Sequence, residues 1–136
     1  MQQIHAAGYV HCDLHSGNVC FTQCVASSAP RAHLLDFGLS TAMFSRGRLF
    51  PRNWRRVRKT HPWYAPEFLR GFPVDGKADV VAYGYLLKKT LLLLTGPLGS
   101  NLHLWGIVEG SAKEDPEDRL DLAAIRSILK KILDQA

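Results

Sequence analysis

The sequence predicts a mixed α+β fold, mainly α-helical, with one small β-hairpin near its start. Three observations predict it. Two short apolar runs, residues 19–22 and 32–35, flank a stretch carrying Ser27, Ser28 and Pro30, the composition of strand, turn and strand. Residues 79–94 are apolar almost all round, interrupted only by Lys88 and Lys89, which describes a helix buried on most of its faces. In residues 121–133, Leu122, Ile125, Leu129 and Ile132 recur at helical spacing, with Arg126, Lys130 and Lys131 on another face.

The remaining elements follow in order. Residues 1–7 read as the last turns of a helix, stopped by Gly8. Residues 23–31 are the expected hairpin loop. Residues 38–62 show no periodicity and are rich in Arg, Gly and Pro. They read as one long loop, a length usually reserved for functional or mobile segments. Residues 65–69 predict a short helix with Pro66 in its first turn, where proline is tolerated. Gly96, Pro97 and Gly99 end the long apolar helix, and residues 101–108 predict a weaker one. No internal repeat or low-complexity tract is visible.

Composition narrows the class. The chain has 136 residues, which suits one domain, and 46% are hydrophobic, which excludes wholesale disorder. No stretch is long and apolar enough to cross a bilayer, and residues 1–5 lack the pattern of a signal peptide. Cys12, Cys20 and Cys24 are an odd number, which favours reduced thiols and an intracellular, cytoplasmic setting. With His15 these cysteines fit no common zinc-finger spacing. The net charge is +5, and Arg46, Arg48, Arg52, Arg55, Arg56, Arg58 and Lys59 crowd one segment. Such a cluster reads as a solvated loop or as the contact for an acidic or phosphorylated partner. Nucleic acid is disfavoured, because only Phe50 and Trp54 lie nearby to stack on bases.

Three short motifs carry the chemistry. In His11-Cys12-Asp13-Leu14-His15-Ser16-Gly17-Asn18, an Asp and an Asn precede an apolar strand at a spacing that puts two oxygens near one point. The Asp is suited to accept a hydroxyl proton and the Asn carbonyl to hold Mg²⁺. Asp36-Phe37-Gly38 follows the second strand, where a carboxylate suits a hard metal ion beside phosphate. Ala65-Pro66-Glu67 lies downstream of the long loop.

In this order and context, the three motifs resemble the catalytic loop, Asp-Phe-Gly and Ala-Pro-Glu of the protein kinase family. Residues 79–84 resemble the start of the buried central helix of the kinase C-terminal lobe, and residues 116–120 the segment before its final helix. The resemblance covers essentially the whole chain. It implies a partial kinase domain over residues 1–136, a C-lobe with a small hairpin bearing the catalytic and metal loops, and an activation segment at 36–67. It implies ATP and Mg²⁺ as cofactors and a protein substrate. Asp13 would be the catalytic base, and Asn18 and Asp36 would hold Mg²⁺ against ATP. Cys20 would floor the adenine site. His11 would be structural, packing against Phe37. Glu67 and Arg119 would form a buried salt bridge, Asp79 would brace the catalytic loop, and Thr60 would sit near Asp13.

The chain also departs from the family. Cys12 replaces the arginine that reads a phosphate on the activation loop, so switching by loop phosphorylation through that contact is not expected. His15 stands where serine/threonine kinases place a lysine that tyrosine kinases also lack, while Thr60 favours serine/threonine. Val81 replaces a common tryptophan, with no evident physical reason. Nothing in the sequence resembles the Gly-rich loop, the strand lysine or its glutamate partner, so these residues alone are expected to be inactive. The leading expectation is therefore phosphoryl transfer from ATP to protein Ser/Thr, less readily Tyr. Two alternatives stand beside it: a pseudokinase-like binding scaffold, and a small-molecule phosphotransferase, whose loop His15-Ser16-Gly17 also resembles.

Overall fold

The computed structural model describes residues 1–23 and 29–135. The expected hairpin loop and Cys24 therefore fall largely outside the described residues.

Helix α1 (Gln2–Ala6) ends as expected at Gly8, whose φ of +82° is a left-handed turn that glycine adopts without a Cβ clash. That turn feeds strand β1 (Tyr9–Val10). Strands β2 (Val19–Thr22) and β3 (Arg31–Leu34) form the antiparallel hairpin, with Val19 opposite Leu34 and Cys20 opposite His33. β3 starts one residue earlier than the apolar run suggested.

The stretch 38–62 is not one loop. It contains β4 (Thr41–Ala42), β5 (Ser45–Arg46) and helix α2 (Trp54–Thr60). β4 pairs with β1, and β5 pairs with β6 (Pro73–Val74). Each of these two-residue strands exists only because a distant partner supplies its hydrogen bonds, and α2 is too short for a periodic signal.

The rest is helical: α3 (Pro66–Leu69), α4 (Gly76–Leu93), α5 (Leu102–Ser111) and α6 (Leu122–Asp134). Three caps start them. Asp75 accepts from the Lys77 amide, Asn101 from the His103 and Leu104 amides, and Asp121 from the Ala124 amide. These side chains satisfy donors that the first helical turn leaves orphaned. The mixed α+β, mainly helical class read from the sequence is the class observed.

α4 is the wall shared by two cores. Its Ala78 and Val81 join Val10, Tyr64, Phe68, Leu69 and Val74, whereas Val80 and Leu91 join Leu104, Ile107, Val108 and Ile125. Burial all round holds only for its first half. In its last turn Leu91 is buried, whereas Leu92 and Leu93 are 66% and 84% exposed, because no element among the described residues covers that face of the helix. Gly84 lets α5 approach closely: a Cβ there would lie 2.4 Å from the Cβ of Ser111.

One ion pair ties α3 to the segment before α6. Arg119 Nη1 and Nη2 donate to the two carboxylate oxygens of Glu67 at 2.6 and 2.8 Å. Its other three N–H groups donate to the carbonyls of Lys113, Lys77 and Glu114. All five guanidinium donors are thus used, at a residue only 3% exposed. The pair expected from the sequence is present and buried. Glu67→Ala is expected to destabilise the fold by about 3–5 kcal/mol, because the guanidinium is left buried and unpaired. Urea unfolding measures it, and a loss below about 1 kcal/mol, the range of exposed pairs, would show the pair to be dispensable.

Candidate functional site

The site is built around Asp79, in the first turn of α4 and 0% exposed. Its Oδ2 accepts from the His11 amide at 2.9 Å and its Oδ1 from the Cys12 amide at 2.8 Å. His5 Nε2 on α1 lies 2.8 Å from Oδ2. A desolvated carboxylate needs such donors, and here they come from two separate stretches of chain, α1 and the loop at His11–Cys12. Asp79 thereby braces the loop as expected. The two amide bonds also hold Cys12 at a φ of +67°, a conformation unfavourable for a residue with a side chain. The Cys12 thiol is buried. Burial first, and then the charge of Asp79, push its pKa far above the ordinary thiol range. It remains a neutral thiol and is no nucleophile.

His11 links the two functional loops. Its Nδ1 accepts from the Asp13 amide at 3.3 Å, so the proton sits on Nε2, which donates to the Leu35 carbonyl at 3.0 Å. Its ring lies 5.0 Å from that of Phe37. The expected packing of His11 against Phe37 is present.

Asp13, Asn18 and Asp36 converge through backbone contacts. Residues Ser16–Asn18 form a 3₁₀ turn, started by His15, whose Nδ1 accepts from the Gly17 amide. The turn delivers Asn18 back onto Asp13: Asn18 Nδ2 donates to the Asp13 carbonyl at 2.9 Å and to its Oδ2 at 3.3 Å. Next door, the Leu35 amide donates to the Asn18 carbonyl at 2.9 Å, which sets Asp36 beside the same turn. Asp36 has a φ of +56°, which Asp tolerates better than most residues, and its Oδ1 accepts from the Gly38 amide. Asp36 Oδ2 and Asn18 Oδ1 make no hydrogen bond among the described residues. Cys20 is half-buried on β2, whereas its neighbours Val19 and Phe21, on the opposite face, line an apolar groove with Leu14, Leu86 and Ile125.

Thr60 makes no hydrogen bond with Asp13 among the described residues. It is the last residue of α2, exposed, and its hydroxyl donates to the Val57 carbonyl at 3.0 Å. Trp63 makes that contact instead: its indole Nε1 donates to Asp13 Oδ1 at 3.0 Å. Sequence reasoning passed over Trp63. The available signal was its position two residues before Ala65, within the aromatic run His61, Trp63, Tyr64. His15 Nε2 lies 3.7 Å from Asp13 Oδ1, beyond hydrogen-bond range, and its ring lies 5.0 Å from that of Trp63.

The donor set can be tested against Mg²⁺. Asp36 Oδ2 and Asn18 Oδ1, one carboxylate and one amide oxygen, are uncommitted, and no cluster of three metal-binding side chains exists among the described residues. Mg²⁺ typically takes one or two protein oxygens and completes its shell with water and phosphate, so the residues fit it.

Comparisons with known proteins identify the family. Residues 1–125 match the family model described as the protein kinase domain. The serine/threonine-protein kinase mos of Patiria pectinifera is 32% identical over 121 residues, covering 86% of this chain and 33% of that protein. The mitogen-activated protein kinase kinase kinase 13-B of Xenopus laevis is 30% identical over 116 residues, 82% of this chain and 11% of that protein. The serine/threonine-protein kinase Pkn1 of Myxococcus xanthus is 35% identical over 101 residues, 74% of this chain and 14% of that protein. The chain belongs to the protein kinase family, and it spans a third or less of the length of these relatives. No helix of the described residues is long and apolar enough to cross a membrane.

Tyr64 offers a check on the surroundings of Asp13. Burial first, and then the charge of Asp13, push its pKa up to about 12 from 10. The unfolded chain loses this proton near pH 10 while the folded chain keeps it. Stability from the neutral phenol is thus complete below pH 10 and is lost as pH rises towards 12. Wild-type protein should lose more stability than Tyr64→Phe across that window, measured by urea unfolding at fixed pH. Parallel curves would place Tyr64 away from the Asp13 charge.

Proposed function

We propose that these residues are the catalytic and metal-holding part of a protein kinase that transfers the γ-phosphate of ATP to serine or threonine of a protein. One observation carries the reading. Asp13 and Asn18 are hydrogen-bonded to each other, and the Leu35–Asn18 backbone bond holds Asp36 beside them. A proton acceptor and two metal-suited oxygens therefore share one rigid unit. The preference for serine or threonine over tyrosine rests on two relatives, mos and Pkn1, both serine/threonine-protein kinases.

In this reading Asp13 orients the substrate hydroxyl and takes its proton. The hydroxyl oxygen bonds to the γ-phosphorus as the bond to the β,γ-bridging oxygen breaks, and ADP leaves. Asn18 holds the Asp13 carboxylate with its Nδ2, and its Oδ1, with Asp36 Oδ2, would hold the metal. Bound Mg²⁺ supplies charge neutralisation on the phosphates. Cys20 lies under the adenine ring. Trp63 keeps the carboxylate in place from the other side. The Gly-rich loop and strand lysine of the family are not among these 136 residues, so the grip on ATP comes from elsewhere.

A second reading, a pseudokinase-like binding module, is favoured by two observations. Cys12 stands where the family has arginine, and Trp63 and Asn18 already occupy both oxygens of Asp13. The small-molecule reading has less to support it, since the matched family is the protein kinase domain and the Glu67–Arg119 pair is in place.

The test uses the longest native chain containing these residues, with labelled ATP, Mg²⁺ and mixed protein substrates. Asp13→Asn should lower phosphate transfer by about 10²–10⁴-fold, the usual contribution of a positioned acid or base. Phosphoamino-acid analysis should find phosphoserine or phosphothreonine. Transfer unchanged by Asp13→Asn would reject the role of Asp13, and no transfer in either chain would favour the binding module.

A further inference from the structure

The basic segment has acquired a shape. Among Arg46, Arg48, Arg52, Arg55, Arg56, Arg58 and Lys59, only Arg58 forms an ion pair among the described residues, with Glu114 at 2.6 Å. The other six are exposed. On α2, Arg55, Arg58 and Lys59 stand at i, i+3 and i+4, so they share one helical face. With Trp54 and Glu114 they line an open groove of about 430 Å³. Trp54 lies between two guanidinium groups, Arg55 at 4.7 Å and Arg70 at 5.6 Å from its ring centre. α2 has no acidic residue of its own, so its like charges repel one another at a spacing that weakens a helix.

We propose that this face docks an acidic segment of a partner protein, with carboxylates set against Arg55 and Lys59, the two groove cations that carry no ion pair among the described residues. The cations are spread along a helix face and the strand before it rather than converging on one point. Among the described residues no buried polar side chain lines the groove, as a phosphate pocket would require. A row of separate carboxylates matches that spread better than one phosphate does. Stacking of a nucleic-acid base is disfavoured because the Trp54 ring already carries the Arg55 and Arg70 guanidiniums. From Thr60, the end of α2, the chain reaches Trp63 at Asp13 in three residues. A docked segment therefore lies close to Asp13, and an acidic flank on a protein substrate would fit there. That last step rests on the kinase reading. The docking does not, since a scaffold would use the same face.

The experiment measures fluorescence anisotropy of labelled short peptides titrated with the chain, without ATP. The probes are a Glu-rich peptide around one Ser, its Glu→Gln counterpart, a phosphoserine form of that counterpart, and a single-stranded oligonucleotide. The Glu-rich peptide should bind and its Gln counterpart should not, with affinity falling as salt rises. Arg55→Glu with Lys59→Glu leaves the Arg58–Glu114 pair intact and should weaken binding by about tenfold. Lys130→Glu with Lys131→Glu on α6 makes the same charge change elsewhere and should leave affinity within about twofold. Circular dichroism checks folding, and Arg55→Gln with Lys59→Gln replaces any reversed variant that fails. Equal loss in the α2 and α6 variants would overturn the proposal, as would tighter binding of the phosphoserine peptide or the oligonucleotide. So would equal binding of the Glu and Gln peptides. Because no phosphate transfer is read, failure here leaves the kinase reading standing, and inactivity of the full chain leaves the docking surface standing.

Discussion

A carboxylate with no access to water must be given hydrogen-bond donors by the protein, and at Asp79 those donors define the site. The amides of His11 and Cys12 and the ring of His5 meet on it. The first turn of α4, the end of α1 and the loop that carries Asp13 are thereby fixed relative to one another. The left-handed backbone at Cys12 follows from this, and so does the direction in which Asp13 leaves the loop. His11 extends the same constraint to Leu35, one residue before Asp36. Two loops distant in sequence thus share one anchor.

Arg119 works in the same way on the other side of α3. A guanidinium with all five donors engaged joins Glu67, the start of α4 and residues 113–114. No buried side-chain polar atom among the described residues lacks a partner. In such an interior a buried charge acts as a positional constraint, because any shift strands a desolvated group. The surface of α2 is the opposite case. Its charges are hydrated, tolerate their mutual repulsion and leave a groove that the interior does not need.

Much of this was readable in advance where the chemistry is local. Asp13, Asn18 and Asp36 stood out because a loop that handles a proton and a metal beside phosphate needs those side chains within a few residues of a strand. Helix α4 was visible as a long, almost unbroken apolar run, α6 because its apolar residues repeat at helical spacing, and the hairpin because its strands are neighbours in the chain. β4, β5 and α2 were not visible. Two residues carry no periodicity, and the pairing of β4 with β1 spans some thirty positions. The exposed end of α4 was misjudged for a related reason: apolar composition says that a helix can be buried, not that another element is there to cover it.

The exchange of Thr60 for Trp63 marks the division most sharply. Both lie in the segment before Ala65 and both carry a hydrogen-bond donor, and the family resemblance pointed to Thr60. α2 runs to Thr60 and spends its hydroxyl on the Val57 carbonyl, while the turn beyond it swings the Trp63 indole onto Asp13. The sequence by itself determined which residue types are present to bind, to accept a proton and to cap a helix, because those properties belong to the side chain and its near neighbours. The tertiary structure alone decided which of them touch Asp13 and which face water, because that depends on where separate elements are clamped, and the clamps are the buried charges of Asp79 and Arg119.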